Sequence, residues 1–113
     1  MMDKNQLEQD FHKAMLNLYE ETLNFPRPYK ATRFLQMVNE FGGKEAADKL
    51  LSSGDRQYQS GFAKIIDHGE GVHALRYSME YLILQTPWCD LFTEEQKAVA
   101  HKRLKFAGFP LAK

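Results

Sequence analysis

The densest group of side chains able to do chemistry lies between residues 67 and 73, where His68 and His73 stand among two carboxylates and two glycines. Imidazole and carboxylate groups are common ligands of zinc and iron. The two histidines lack the i, i+4 spacing that lets a helical pair face one metal. A third ligand would have to come from elsewhere in the chain, from His101 or Cys89. We therefore interpret the segment as a polar turn between helices and expect neither a metal nor another cofactor.

The remaining nucleophiles and bases do not form a catalytic arrangement. Cys89 is followed by Asp90, whose carboxylate disfavours the thiolate that a reactive cysteine needs. His12 and His101 lie in charge-rich stretches with helical periodicity, which is typical of surface histidines. The sequence contains neither a Gly-x-Ser-x-Gly turn nor a glycine-rich phosphate loop. These observations predict a protein that is not an enzyme and has no catalytic residues.

Basic residues are concentrated in two places. Arg27, Lys30 and Arg33 accompany Tyr29 around the start of a predicted helix, and the last predicted helix carries most of the C-terminal cations. Basic side chains interleaved with aromatic ones can hold phosphates and stack on bases. Cations near the C-terminus of a helix also complement its dipole, which gives the last helix an ordinary structural explanation. Nucleic-acid contact through these residues is the second of two functional hypotheses.

The aromatic side chains favour the first hypothesis, which is binding to another protein. The sequence contains five tyrosines, eight phenylalanines and one tryptophan, Trp88. In a domain of short helices such residues can leave an exposed aromatic groove of the kind that anchors interfaces. They can equally fill the core, and the composition leaves that alternative open. We predict a small non-catalytic regulatory or adaptor-type protein whose partner is another protein or a second copy of the same chain.

The bulk composition limits the other possibilities. The 113-residue chain is 43% hydrophobic and 27% charged, which is ordinary for one globular domain. Fifteen basic residues balance fifteen acidic ones, so no overall field attracts nucleic acid or anionic lipid. The single cysteine, Cys89, fits a reducing compartment, and no apolar run matches a signal peptide or a membrane span. We predict one domain over residues 1–113, cytoplasmic and without membrane contact.

Hydrophobic periodicity predicts an all-α fold, a compact bundle of five to six short helices. The predicted helices span residues 3–23, 31 or 32 to 41, 44–51, 61–68 and 79–84, followed by a last helix that begins after Thr93. The residue types of 79–84 would also suit a strand, but we favour a buried helix because the sequence offers no partner strand. Thr93 and Gln96 match a capping box, which satisfies two backbone N–H groups at a helix start. The polar segment 52–59 predicts a loop, because it contains Gly54 followed by Asp55.

Two electrostatic contacts are predicted between distant parts of the chain. Residues 1–24 carry two basic and five acidic side chains (net −3), whereas residues 93–113 carry five and two (net +3). The opposite signs favour packing of the first helix against the last, although exposed ion pairs contribute only about 0–1 kcal/mol each. The second contact involves Glu80, at the start of a predicted buried helix, which we expect to pair with Arg33 or Arg103.

A series of short motifs runs through nearly the whole chain: Tyr29-x-x-x-Arg33-Phe34-Leu35-x-Met37, Gly42-Gly43, Ala46-Ala47, Leu50-Leu51, Ser60-Gly61-Phe62, Ser78-x-Glu80, Leu91-Phe92-Thr93-x-Glu95 and Arg103-Leu104 with Gly108-Phe109. In this order and spacing the chain resembles a largely uncharacterised family of small bacterial α-helical proteins. The resemblance implies a helical fold and a bacterial cytosolic setting. It implies no catalytic residue, because the family has no established activity. The candidate interaction residues are Arg27, Tyr29, Lys30, Arg33, Glu80, Trp88, Lys102, Arg103 and Lys105.

Overall fold

The computed structural model describes residues 3–111, which form helices joined by short connections. The α-helices are α1 (Lys4–Leu23), α2 (Thr32–Phe41), α3 (Gly43–Leu51), α4 (Asp55–Gly69), α5 (Met79–Ile83) and α6 (Glu94–Phe106). Two 3₁₀ helices, η1 (Val72–Tyr77) and η2 (Trp88–Leu91), precede and follow α5. No strand occurs within residues 3–111, and the predicted all-α fold is confirmed. Over the same range, no helix combines the length and apolar character that crossing a bilayer requires.

The helix starts follow from capping side chains that the sequence makes visible. The hydroxyl of Thr93 accepts a hydrogen bond from the N–H of Gln96 at 3.1 Å, and the Gln96 side chain accepts from the N–H of Thr93 at 3.0 Å. The predicted capping box at α6 is therefore confirmed. Ser78 starts α5 in a similar way, because its hydroxyl accepts from the N–H of Tyr81 at 3.2 Å. The carboxylate of Asp3 does the same for α1.

The loop predicted over residues 52–59 is present only at residues 52–54, and the prediction is wrong for 55–59, because α4 begins at Asp55. Gly54 has the extended backbone angles of a residue that precedes a helix, and the carboxylate of Asp55 complements the positive end of the helix dipole. Tyr58 packs edge-on against Phe62 one turn later, with ring centroids 5.3 Å apart. These local contacts outweigh the loop-like polarity of the segment.

The predicted break at Gly42 and Gly43 is present but shorter than expected. Gly42 ends α2 with a φ of 85°, a region that favours glycine. Gly43 begins α3 at once, and its N–H donates to Nδ1 of His12 in α1 at 2.9 Å. A Cβ atom at Gly43 would lie 2.7 Å from the Cα of His12, so glycine allows α1 and α3 to touch at the backbone. His12 is therefore a half-buried capping residue rather than the surface histidine that was predicted.

Two hydrophobic clusters form the interior. The larger cluster joins α1, α2 and α3 with α5 and η2, and Phe11 and Val38 in it are completely buried. The smaller cluster joins α4, η1 and α6 through Phe62, Leu75 and Leu104. The Cα radius of gyration, 13.3 Å, is that of a compact chain of this length. The fold is thus one globule with a divided core.

The opposite charges of the first and last helices do not bring them into their main contacts. α1 packs chiefly against α3 and α2, whereas α6 packs chiefly against α5 and α3. The apolar stripe of α1, which includes Leu7, Phe11 and Met15, is buried in the larger cluster. Burying such side chains yields about 1.5–3 kcal/mol each, more than exposed ion pairs provide. Apolar burial therefore decides the placement of α1.

Candidate functional site

A cleft of about 440 Å³ opens between the two hydrophobic clusters. We call two parts of its lining the walls, namely α2 with the residues before it, and α4; parts of α1, α3, η1, α5 and α6 form the floor. The two walls meet where the ring of Tyr29 packs against that of His68 at the end of α4. We call it the interhelical cleft, defined by the lining residues Tyr29, Arg33, Phe34, Phe62, Ile65 and Arg103 together with their neighbours on the same elements.

The walls of the interhelical cleft are mainly apolar because of helix periodicity. Phe34 and Met37 lie one turn apart on α2, and Phe62 and Ile65 lie one turn apart on α4, so each helix presents an apolar edge. α4 is attached chiefly through η1 rather than through α2, and the two edges therefore remain separated. The volume lies within the range of about 300–1,000 Å³ that is usual for binding pockets.

A buried ion pair forms part of the floor. Nη1 of Arg103 lies 3.0 Å from Oε2 of Glu80, with the two side chains 6% and 7% exposed. The guanidinium also donates to the carbonyl oxygens of Leu50, Leu51 and Ser53 at 3.1, 3.3 and 3.0 Å. Arg103 thereby satisfies acceptors at the C-terminal end of α3. The ion pair predicted for Glu80 forms with Arg103 and not with Arg33.

The floor also contacts the α4 wall through Arg103. The guanidinium of Arg103 lies over the ring of Tyr58 in α4, 4.5 Å from its centroid. Burial raises the pKa of Glu80 above its ordinary value, against the opposing effects of a backbone hydrogen bond and of Arg103. Burial likewise raises the pKa of Tyr29 on the cleft wall. The floor is therefore polar, and the opposite charges of Glu80 and Arg103 cancel.

Three of the lining residues are exposed cations, and we call them the rim of the cleft. Arg33 lies on α2, whereas Arg56 and Lys64 lie on α4, and all three line the interhelical cleft. None of them forms a salt bridge with a residue in the described range 3–111. Glu80 is the one carboxylate among the described lining residues, and Arg103 neutralises it. The rim is therefore cationic although the protein as a whole is neutral.

The structure brings four of the nine candidate interaction residues into the cleft: Tyr29, Arg33, Glu80 and Arg103. The other five, which do not line it, are Arg27, Lys30, Trp88, Lys102 and Lys105. Trp88 packs against Phe11 of the larger cluster, with ring centroids 5.8 Å apart. Lys30, Lys102 and Lys105 are exposed. The burial of Arg103 removes one cation from the basic surface that was predicted for the last helix.

Arg27 and His68 help to attach the segment before α2 to the end of α4. Arg27 forms a salt bridge with Asp67, and its guanidinium donates to the carbonyl oxygen of Asp67 at 3.1 Å. Nδ1 of His68 lies 3.0 Å from the carbonyl oxygen of Arg27, and its ring packs against Tyr29 with centroids 5.2 Å apart. Among the described residues, no group of three or more His, Cys, Asp and Glu side chains is placed to hold a metal ion.

Sequence reasoning missed Arg56 and Lys64, the two cations on the α4 side of the rim. Arg56 falls in the predicted loop 52–59. Lys64 falls in the predicted helix 61–68, which in the structure begins earlier, at Asp55. The usable signal was spacing: Arg56, Ser60 and Lys64 follow one another at i, i+4 steps and therefore share one side of a helix. The same side contains Gly61, which lines the cleft and leaves open space where a side chain would stand.

Comparison with known proteins identifies no relative: no protein family, no curated protein and no solved structure matches the chain. The resemblance to small bacterial helical proteins therefore rests on the sequence motifs alone.

Proposed function

We propose that this chain is a small non-catalytic binding protein of the regulatory or adaptor type, and that the interhelical cleft is where it binds another protein. The observation that carries the proposal is the combination of apolar walls with three exposed cations that have no salt-bridge partner among residues 3–111. Apolar contact area supplies affinity in such sites, and a few polar groups fix orientation. The setting that we propose is the bacterial cytoplasm, where Cys89 remains a thiol.

The chemistry of the cleft supports binding rather than catalysis. The described lining residues include neither histidine nor cysteine. The hydroxyl of Ser78 is directed to the carbonyl oxygen of Leu75 at 2.6 Å, and that of Ser53 to the carbonyl oxygen of Leu50 at 2.6 Å. Glu80 is held by Arg103. A nucleophile next to a base, which covalent catalysis requires, is not formed by these groups.

Gly61 offers a direct test, because it lines the cleft and a Cβ at this position meets no atom within 4 Å, so we expect a large side chain there to occupy the cleft. Gly61→Phe fills the cleft, and Ala63→Phe adds the same side chain at an exposed position of α4 outside it. Each variant and the natural protein are immobilised and exposed to lysate from cells that express the protein, with and without nuclease. Bound proteins are quantified, and bound nucleic acid is measured by absorbance.

The proposal expects a protein that is retained after nuclease treatment by the natural chain and by Ala63→Phe, and lost from Gly61→Phe. Retention of the same proteins by Gly61→Phe would show that the cleft is not the binding site. A signal that consists of nucleic acid and disappears with nuclease would support the second hypothesis, contact through exposed Lys30, Lys102 and Lys105. Self-association is measured in parallel by analytical ultracentrifugation of the natural protein.

A further inference from the structure

The geometry points to one class of ligand for the interhelical cleft: a short segment of the partner protein that carries an apolar side chain flanked by carboxylates. This inference rests on the proposed function and names the chemistry of the partner. It commits to an acidic, apolar peptide segment, and it follows from the charge of the rim, the character of the walls and the neutrality of the floor.

The rim supplies the charge complementarity. Arg33 approaches from α2, while Arg56 and Lys64 approach from α4, so positive charge stands on both sides of the opening. No described lining residue provides a carboxylate to neutralise them, because Glu80 is engaged by Arg103. A segment with carboxylates on both sides of its anchor therefore meets cations on both sides of the cleft, whereas a basic segment is repelled.

The walls and the floor define the anchor between those carboxylates. Phe34 and Met37 line the cleft and pack on the larger cluster, whereas Phe62 and Ile65 line it as part of the smaller one. We therefore expect an apolar side chain in the cleft to contact both hydrophobic clusters. The floor carries an ion pair without net charge, so it does not attract a carboxylate from the rim into the interior. The segment thus binds with its apolar side chain inside and its charges at the entrance.

The length of the rim also favours a segment over a single charged group. Arg56 and Lys64 lie two turns apart on α4, which separates them by about 12 Å along the helix axis. At that separation a single carboxylate contacts both cations only if both long side chains bend towards each other. Two or more carboxylates spaced along a peptide can do so, which makes a peptide segment a better match to this rim than a small molecule with one acidic group.

The test is a selection from a random-sequence peptide display library on the natural protein, with Gly61→Phe as the counter-selection target. We expect the enriched peptides to contain Asp or Glu on both sides of a Leu, Ile, Phe or Met, and to bind Ala63→Phe as well as the natural protein. Enrichment of basic or uncharged peptides, no enrichment at all, or equal binding to Gly61→Phe would each overturn the inference.

Charge reversal provides a second test on the best enriched peptide, labelled for fluorescence polarisation. We expect Arg33→Glu with Arg56→Glu to weaken binding about tenfold, because exposed ion pairs contribute modestly and two attractions become repulsions. Lys105→Glu, an exposed reversal outside the cleft, should leave affinity unchanged. Affinity for the natural protein should also fall with added salt. Loss of affinity in Lys105→Glu equal to that in the double variant, or salt independence, would contradict the inference.

The two proposals can fail separately. If Gly61→Phe abolishes capture of a cellular protein but the selection yields no acidic peptides, the cleft is a protein-binding site with a different ligand chemistry. If the cellular protein binds equally to Gly61→Phe, the proposed function itself is wrong. Folding of each variant is verified by the fluorescence of Trp88, which does not line the cleft.

Discussion

Glu80 and Arg103 neutralise each other in the interior, with carboxylate and guanidinium 3.0 Å apart and both side chains less than a tenth exposed. Through this pair α5 is joined to α6, and the further hydrogen bonds of Arg103 connect both to the end of α3. A buried pair of this kind contributes little net stability over an apolar replacement, but it is costly to break on one side only. Removing Arg103 alone should therefore cost more stability than removing both charges.

Arg103→Met should destabilise the protein by about 3–5 kcal/mol, because it leaves Glu80 buried without a cation. It also removes the donors to three carbonyl oxygens at the end of α3. The free energy of unfolding can be measured in urea through the fluorescence of Trp88. Adding Glu80→Gln to Arg103→Met should recover part of the loss, since the buried charge is then absent. A double variant that is less stable than Arg103→Met would refute this account.

The pH dependence of stability should reveal the burial of Glu80. Burial raises its pKa in the folded protein, whereas the unfolded chain keeps the ordinary value near 4.5. The folded state thus holds the proton more tightly, so this contribution to stability is greatest below pH 4.5 and is lost as the pH rises through the raised folded-state pKa. The difference in unfolding free energy between the natural protein and Glu80→Gln should therefore decrease over that interval.

Urea titrations of the natural protein and Glu80→Gln at several pH values measure this difference. If the difference increases with pH instead, the attraction of Arg103 outweighs the burial of the carboxyl group. That result would place a depressed folded-state pKa on Glu80 and contradict the prediction.

Two glycines of α4 should respond in opposite ways to alanine. At Gly61 a Cβ meets no atom within 4 Å, and alanine in a helix is favoured over glycine by about 0.5–1 kcal/mol. At Gly69 a Cβ would come within 2.4 Å of the Cβ of Ala74, so alanine forces α4 away from η1 and should cost about 1–3 kcal/mol. Thermal unfolding of Gly61→Ala and Gly69→Ala measures both. A lowered Tm for Gly61→Ala would show that the cleft wall is closed at that point.

The sequence predicts the fold well wherever a helix is specified by its own residues. Thr93 and Gln96 determine the start of α6 through local hydrogen bonds, and periodicity is sufficient for α1. The prediction of secondary structure fails at residues 55–59, because a glycine such as Gly54 is typical both of a loop and of the residue before a helix. The ion pair of Glu80 was predictable only as a choice between Arg33 and Arg103. A carboxylate in a buried helix needs a cation beside it, but the sequence does not show which cation lies near.

The cleft itself was not predictable, because it results from where whole helices pack. Nothing local to Phe34 or Phe62 indicates that α2 and α4 remain apart, and this separation follows from the attachment of α4 to η1. The net charges of the helices likewise did not predict which helices pack together. Opposite net charges on α1 and α6 gave a wrong prediction of packing, since apolar burial outweighs exposed charge.

The contact between His12 and Gly43 supports a last prediction, because a side chain of one helix caps the start of another. The N–H groups of the first helical turn have no partner within the helix, and Nδ1 of His12 accepts from the first of them in α3. His12→Ala should therefore destabilise the protein by about 1 kcal/mol. Lys13→Ala, at an exposed neighbouring position, should change stability by less than about 0.5 kcal/mol.

Because a Cβ at Gly43 collides with the backbone of α1, Gly43→Ala should be more damaging than His12→Ala. Urea unfolding of the three variants ranks these effects, and equal stability of His12→Ala and Lys13→Ala would exclude the capping role.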